Sequence, residues 1–333
     1  MKHKKVRRRL YELLVLTLTV ILVWMTLFQL GCWLMPPRTV FGAVWSSYLA
    51  EPEDSLDLLF LGSSRAYCDV IPARIYEQTG LSSFVNCGPS QTASLTYYYL
   101  RESLRTQSPK YVFVEASGLY YGVNEDHSKD NVCYMPPSVN RILAAAACEE
   151  DILELALYPL QEFHGRIYEK DREKAPVWDG TMLCGYTPLY GGKPQTKRKF
   201  RNPDMLPGSE EYLYNLAYFR RIAELCQSEG IACVFFLTPT MRDYTEAQTE
   251  GMIADLQALP GNVTVEDWTD LIAEIGLDNQ TDWYDSLHLN QKGAEKFTDY
   301  LASYLLSLGL KPTSGADAAL WQQRAAYLKN RGT

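Results

Sequence analysis

The stretch Leu56-Asp57-Leu58-Leu59-Phe60-Leu61-Gly62-Ser63-Ser64-Arg65 decides how the chain is read. Its first six residues are almost wholly apolar and stop at a glycine, a length and composition that fit a strand buried on both faces better than a helix. Gly62, Ser63 and Ser64 then fall at the carboxyl end of that strand, where open α/β sheets bind ligands. A serine at such a strand-to-helix turn exposes its hydroxyl and leaves its own amide free, which suits a nucleophile whose amide helps hold an oxyanion. A serine at the same place can instead simply cap the next helix.

Working outward, similar apolar runs recur at residues 83–87, 111–115 and 231–237, with helical patterns at 92–105 and 210–228 between them. Strands alternating with helices imply a doubly wound α/β fold around a parallel sheet with right-handed crossovers. The stretch from about 119 to 207 breaks the rhythm with Pro136-Pro137, Gly191-Gly192-Lys193-Pro194 and many tyrosines. It reads as an insertion after the third strand, lying over the sheet's carboxyl edge. A core helix at 297–308, a linker at 311–315 and a short amphipathic helix at 316–329 close the chain.

Ahead of the first strand, Lys2-His3-Lys4-Lys5 and Arg7-Arg8-Arg9 precede an apolar run over 10–35, interrupted only by Glu12, Gln29 and a few small or hydroxyl residues. Spanning a bilayer takes roughly 20 residues, whereas a signal peptide has an apolar region of about 7–15 followed by a small-residue cleavage site. No convincing site precedes Pro36-Pro37. Basic flanks stay in the cytoplasm. The expectation is therefore a single-pass anchor over 1–36 with the N-terminus cytoplasmic, and an extracytoplasmic domain over 37–310.

A chain of 333 residues that is 47% hydrophobic can bury one good-sized core, and its net charge of −8 argues against a nucleic-acid partner, which requires clustered Lys and Arg. Eight cysteines occur without a CxxC pair or regular spacing, so neither a disulfide framework nor a zinc site is expected. No HExxH is present, and no metal or other cofactor is implied.

The companion of the serine turn lies in Asp282-Trp283-Tyr284-Asp285-Ser286-Leu287-His288-Leu289-Asn290, just before a helix that begins near Gln291. In a turn or helix start, positions i and i+3 face the same side, so Asp285 can orient His288 by a hydrogen bond. His288 can then serve as general base toward Ser64 and afterwards as general acid. The alternative is a surface Asp–His pair beside a helix start.

In these blocks the chain resembles the SGNH or GDSL-like hydrolases, in which a Gly-Asp-Ser type block follows a strand and the last block is Asp-x-x-His. Gly62-Ser63-Ser64 and Asp285-Ser286-Leu287-His288 match in order, and Asn86-Cys87-Gly88 matches the block whose glycine amide serves the oxyanion hole. The resemblance implies a flavodoxin-like three-layer sheet fold, a triad of Ser64, Asp285 and His288, and oxyanion donors at Ser64 and Gly88. The family's asparagine after the third strand is absent from Tyr111-Val112-Phe113-Val114-Glu115-Ala116-Ser117-Gly118. Ser117 or a backbone amide would have to substitute. The anchor, the Gly-Ser-Ser block and the insertion are similar to a membrane-anchored subgroup that includes the D-alanyl transfer protein of teichoic acid synthesis and polysaccharide O-acetylation proteins.

Other motifs carry less. Gly191-Gly192-Lys193 lacks the first glycine of a P-loop, and no G-x-S-x-G elbow occurs. His127 and His164 lie in the insertion with no ligand-like neighbours in sequence, so packing or surface roles are expected of them. Arg65, Glu115 and Ser117 are candidate substrate contacts; Glu115 ends a strand near the site, although strand-end carboxylates are often merely solvated. The 23 tyrosines suit sugars or amphipathic acyl chains, with packing the better reading for Tyr97 to Tyr99, and the basic cluster Lys197-Arg198-Lys199 with Arg201 fits a solvated loop better than an anionic polymer or headgroup. The leading expectation is an enzyme that moves or removes an O-linked acyl group on a cell-envelope polysaccharide or teichoic acid through an acyl-Ser64 intermediate, with a membrane-bound O-acyltransferase as partner. The alternative is a catalytically degenerate fold that binds polysaccharide or scaffolds an envelope complex.

Overall fold

A computed structural model of the chain describes residues 2–35, 38–148, 154, 156–163, 178–199, 206–313 and 315–331. Its centre is a parallel sheet of β1 (Leu58–Leu61), β2 (Ser83–Val85), β3 (Tyr111–Glu115), β4 (Ala232–Leu237) and β5 (Val263–Asp267), in the order β2-β1-β3-β4-β5. The chain leaves β1 toward β2 on one side and returns to β3 on the other. The carboxyl ends of β1 and β3 therefore border a topological switch point, where such sheets open a crevice.

Why these runs are strands is visible in their burial. Leu59, Leu61, Val112, Val114 and Phe235 pack into one apolar cluster, while Leu58, Phe60, Phe113, Val234 and Phe236 pack into another. Alternate side chains thus enter separate cores, and a strand covered on both faces has to be apolar throughout. The first cluster includes residues of α4 (Ala93–Ser103), α8 (Glu210–Glu229) and α9 (Glu246–Gln257); the second includes residues of α2 (Ser64–Asp69), α3 (Pro72–Thr79) and α10 (Gln291–Ser307). The fifth strand, β5, has no counterpart among the apolar runs of the sequence. It lies at the sheet's edge, none of its residues is fully buried, and Val263-Thr264-Val265 alternates instead of running apolar.

The segment between β3 and α8 carries a short 3₁₀ turn (Ala116–Tyr120), α5 (Glu125–Cys133), α6 (Val139–Ala146) and α7 (Pro159–Phe163) among its described residues. The helix α1 (Lys2–Leu34) is long and apolar enough to cross a membrane, a test that a signal sequence also passes. It touches the insertion: a Cβ on Gly31 would sit 2.3 Å from the backbone nitrogen of Leu160, so only glycine lets α7 approach this closely. The guanidinium of Arg141 lies 5.3 Å from the ring centroid of Phe28.

The helix α11 (Ala318–Arg331) docks on the domain. Trp321 stacks on Tyr76 at 5.0 Å, and the buried Arg324 pairs with the buried Glu51. Upstream of α11, the amide of Thr313 donates to the Asp57 carboxylate at 2.7 Å, just ahead of β1.

Candidate active site

The site starts from the turn after β1. Gly62 has φ +131, and a Cβ there would meet the Cβ of Glu115 at 2.6 Å, so both the backbone conformation and the neighbouring strand exclude a side chain. Ser63 is the N-cap of α2 in backbone terms, but its side chain makes no capping bond. Its hydroxyl donates to Glu115 Oε2 at 3.1 Å instead. Ser64 is the first residue of α2, and its Oγ lies 2.8 Å from His288 Nε2. Neither serine caps the helix through its side chain. At the first helical position the amide of Ser64 has no acceptor within the helix.

Beneath the turn lies a buried polar network. The Glu115 carboxylate accepts from Ser63 Oγ, from the Ser117 amide at 3.0 Å and from Ser117 Oγ at 2.6 Å, and Arg65 Nη1 stands 3.7 Å away. Arg65 also donates to the hydroxyl and the carbonyl of Thr238, at 3.1 and 2.8 Å. Burial opposes the Arg65 charge, and Glu115 leads the neighbours that outweigh it, so the guanidinium stays firmly protonated. Ser117 Oγ also bonds the hydroxyl of Tyr121 at 2.9 Å, which carries the network up to the cavity wall.

Expected as substrate contacts, Arg65, Glu115 and Ser117 are 0%, 1% and 1% exposed, and none borders the cavity that holds Ser64. The physical reason is the register. The end of β3 lies against Gly62, so its polar side chains turn under the serine turn and support it.

His288 arrives on a short loop held at several points. Asp285 Oδ1 accepts the amides of Leu287 and His288 at 2.7 and 3.0 Å, folding the carboxylate back over its own turn. His288 Nδ1 lies 3.0 Å from each Asp285 oxygen. Burial pushes the Asp285 carboxyl up, but the His288 ring together with these amides outweighs it and holds the carboxyl below the usual carboxylate range. The next amide, that of Leu289, donates to Asp69 Oδ1 at 3.1 Å, which ties the loop to the end of α2. Burial pushes the Asp69 carboxyl well above the usual carboxylate range, against the opposing bond from Leu289. Asn290 caps α10 through the amide of Gly293 and donates to the carbonyls of Gly191 and Thr281.

Gly88 lies after β2 with its amide directed at the Gly62 carbonyl, at 3.4 Å, a long bond. A Cβ on Gly88 would lie 2.2 Å from Asn131 Oδ1. Asn131 is a buried residue of α5 whose Nδ2 donates to the Pro89 carbonyl at 3.0 Å. The insertion therefore packs against this glycine loop, a contact between residues 42 or more apart that nothing in the local sequence announces.

Ser64, Asp285 and His288 all open onto one cavity of ≈ 830 Å³, within the range of small-molecule sites. Its charged lining is balanced: Arg38 and Arg242 against Asp130 and Asp285, with Arg38 paired to Asp130 at 2.9 Å. His127, expected to be a packing or surface residue, lies in the same wall with Nδ1 2.9 Å from Ser90 Oγ. His164 and Arg201 lie outside the described residues. Among the described residues no cluster of His, Cys, Asp or Glu could hold a metal ion. No protein-family model matches the chain, and no curated protein matches it in sequence.

Proposed function

We propose that this chain is an SGNH-type serine esterase or O-acyltransferase with a flavodoxin-like three-layer core, anchored by α1 with its domain outside the cytoplasm. The observation that carries the reading is the Ser64 Oγ to His288 Nε2 distance of 2.8 Å with Asp285 on the opposite ring nitrogen. Ser64 and His288 are 224 residues apart in sequence and meet at the carboxyl end of β1, beside a cavity. In this reading Ser64 Oγ attacks an acyl carbonyl as His288 Nε2 takes its proton. Asp285 keeps the other ring proton on Nδ1 and stabilises the imidazolium. The tetrahedral intermediate collapses with His288 returning the proton to the departing alcohol, leaving acyl-Ser64. Water or an acceptor hydroxyl then gives its proton to His288, takes the acyl group, and Ser64 regains its own proton.

The free Ser64 amide supports an oxyanion site; the Gly88 amide joins it by releasing the long bond to Gly62. A cell-envelope polysaccharide or teichoic acid is the proposed substrate, with a membrane-bound O-acyltransferase as the supplier of acyl groups. That Gly88 amide, together with the absent third-block asparagine, favours a second reading, a non-catalytic polysaccharide-binding or scaffold protein. Labelling of the detergent-solubilised chain with a fluorophosphonate separates the two. Covalent modification of Ser64, abolished in Ser64→Ala while the far-ultraviolet spectrum is retained, is the expected result; no labelling of the folded wild type overturns the enzymatic reading.

A further inference from the structure

We propose that Ser90 and His127 form an acceptor subsite in the triad's cavity, a hydrogen-bonding station for a hydroxyl of an uncharged sugar or polyol. The inference rests on the acyl-serine reading above. His127 comes from the first turn of α5, where its own amide is held by the N-cap Asn124 at 3.0 Å. Its ring borders the cavity, and Nδ1 is taken up by Ser90 Oγ at 2.9 Å. Nε2 has no hydrogen-bond partner among the described residues and remains available to a ligand. Among the described residues five non-glycine residues have positive φ, and two of them, Ser90 at +42 and Phe41 at +63, line this cavity. Such conformations are unfavourable for a side chain and persist where the surroundings impose them, often at ligand sites. The surroundings here are α5 itself, through Asn131 on the Pro89 carbonyl.

Size and charge specify what the subsite takes. A cavity of ≈ 830 Å³ far exceeds the roughly 30 Å³ that a hydrolytic water needs. A polyanion such as a teichoic acid would call for cations in excess, yet Arg38 and Arg242 are matched by Asp130 and Asp285 and Arg38 is already paired, which narrows the proposed substrates to an uncharged polysaccharide. An imidazole with one free nitrogen beside a serine hydroxyl suits a neutral hydroxyl, which can both donate and accept. In the second half-reaction the acceptor's reacting hydroxyl forms the new ester bond as the Ser64 ester breaks, its proton passing through His288 to Ser64 Oγ. His127 binds a neighbouring hydroxyl and exchanges no proton in the net reaction.

The test uses full-length protein in detergent, 4-nitrophenyl acetate as donor and methyl glucoside as acceptor, and compares acetyl transfer with the rate of fluorophosphonate labelling. Wild type is expected to acetylate the glucoside, and in His127→Ala the ratio of transfer to labelling is expected to fall roughly tenfold, the value of about one hydrogen bond. Ser90→Gly, which adopts the same backbone without strain and lacks the hydroxyl, is expected to shift the ratio in the same direction. An unchanged ratio in both variants overturns the subsite, as does a fall in labelling that matches the fall in transfer. Labelled wild type that transfers nothing to the glucoside overturns the subsite while leaving the esterase reading intact; unlabelled wild type overturns both.

Discussion

Replacing Asp285 by Asn tests the triad with little disturbance of the loop that carries it. Asp285 Oδ1 accepts two backbone amides, so the amide oxygen of an asparagine is bound to occupy that position. Its NH₂ group then takes the place of Oδ2, 3.0 Å from His288 Nδ1, as a donor. Nδ1 then faces this donor beside the amide oxygen, and an Nδ1 that accepts from the NH₂ leaves the ring proton on Nε2, the nitrogen that faces Ser64 Oγ at 2.8 Å. His288 in that tautomer cannot take the serine proton. A wrong tautomer in otherwise intact geometry costs on the order of 10⁴ in rate, about 5.5 kcal/mol of activation free energy. The assay is the second-order rate constant of fluorophosphonate labelling at neutral pH, read beside thermal unfolding to show that the loop survives. A rate within tenfold of wild type would refute the orientation assigned to Asp285 and, with it, the triad.

Two further outcomes are expected. Glu115→Gln strands the buried Arg65 charge and should destabilise the fold by about 3–5 kcal/mol, whereas adding Arg65→Met should restore most of the loss in urea unfolding; additive losses would show that the two side chains do not act as a pair. Asp285 is held below its unfolded value, so its contribution to stability is complete above a pH of about 4 and is lost as pH falls through the lowered folded value. The stability difference between wild type and Asp285→Asn should therefore shrink on acidification below about pH 4, and a difference that grows there would contradict the assigned direction.

What could be read from the sequence follows from the range over which each feature acts. Residues 56–61 announce a buried strand because both faces of β1 are covered, and Asp285 and His288 announce each other because one four-residue loop holds both. β5 escapes the same reasoning because an edge strand need not be apolar. The buried roles of Arg65, Glu115 and Ser117 depend on the register of β1 against β3, which determines that Glu115 lies under Gly62. His127 gained no partner from its neighbours in sequence because its partner is Ser90, 37 residues earlier. A histidine in a segment rich in polar and aromatic residues carries no local sign of such a pairing.

The docking of α11 bears on when this domain can form. Glu51 is buried before the first strand, where burial pushes its carboxyl up against the opposing influence of Arg324, and its ionic partner is made 273 residues later. A chain growing from the ribosome presents Glu51 and the Tyr76 face long before Arg324 and Trp321 arrive. The sheet's first strands can pair early, but their outer flank stays open until the helix at 318–331 has emerged. The fold is thus completed only once the helix at 318–331 has been made, when it closes on Glu51, ahead of the first strand, and on Tyr76.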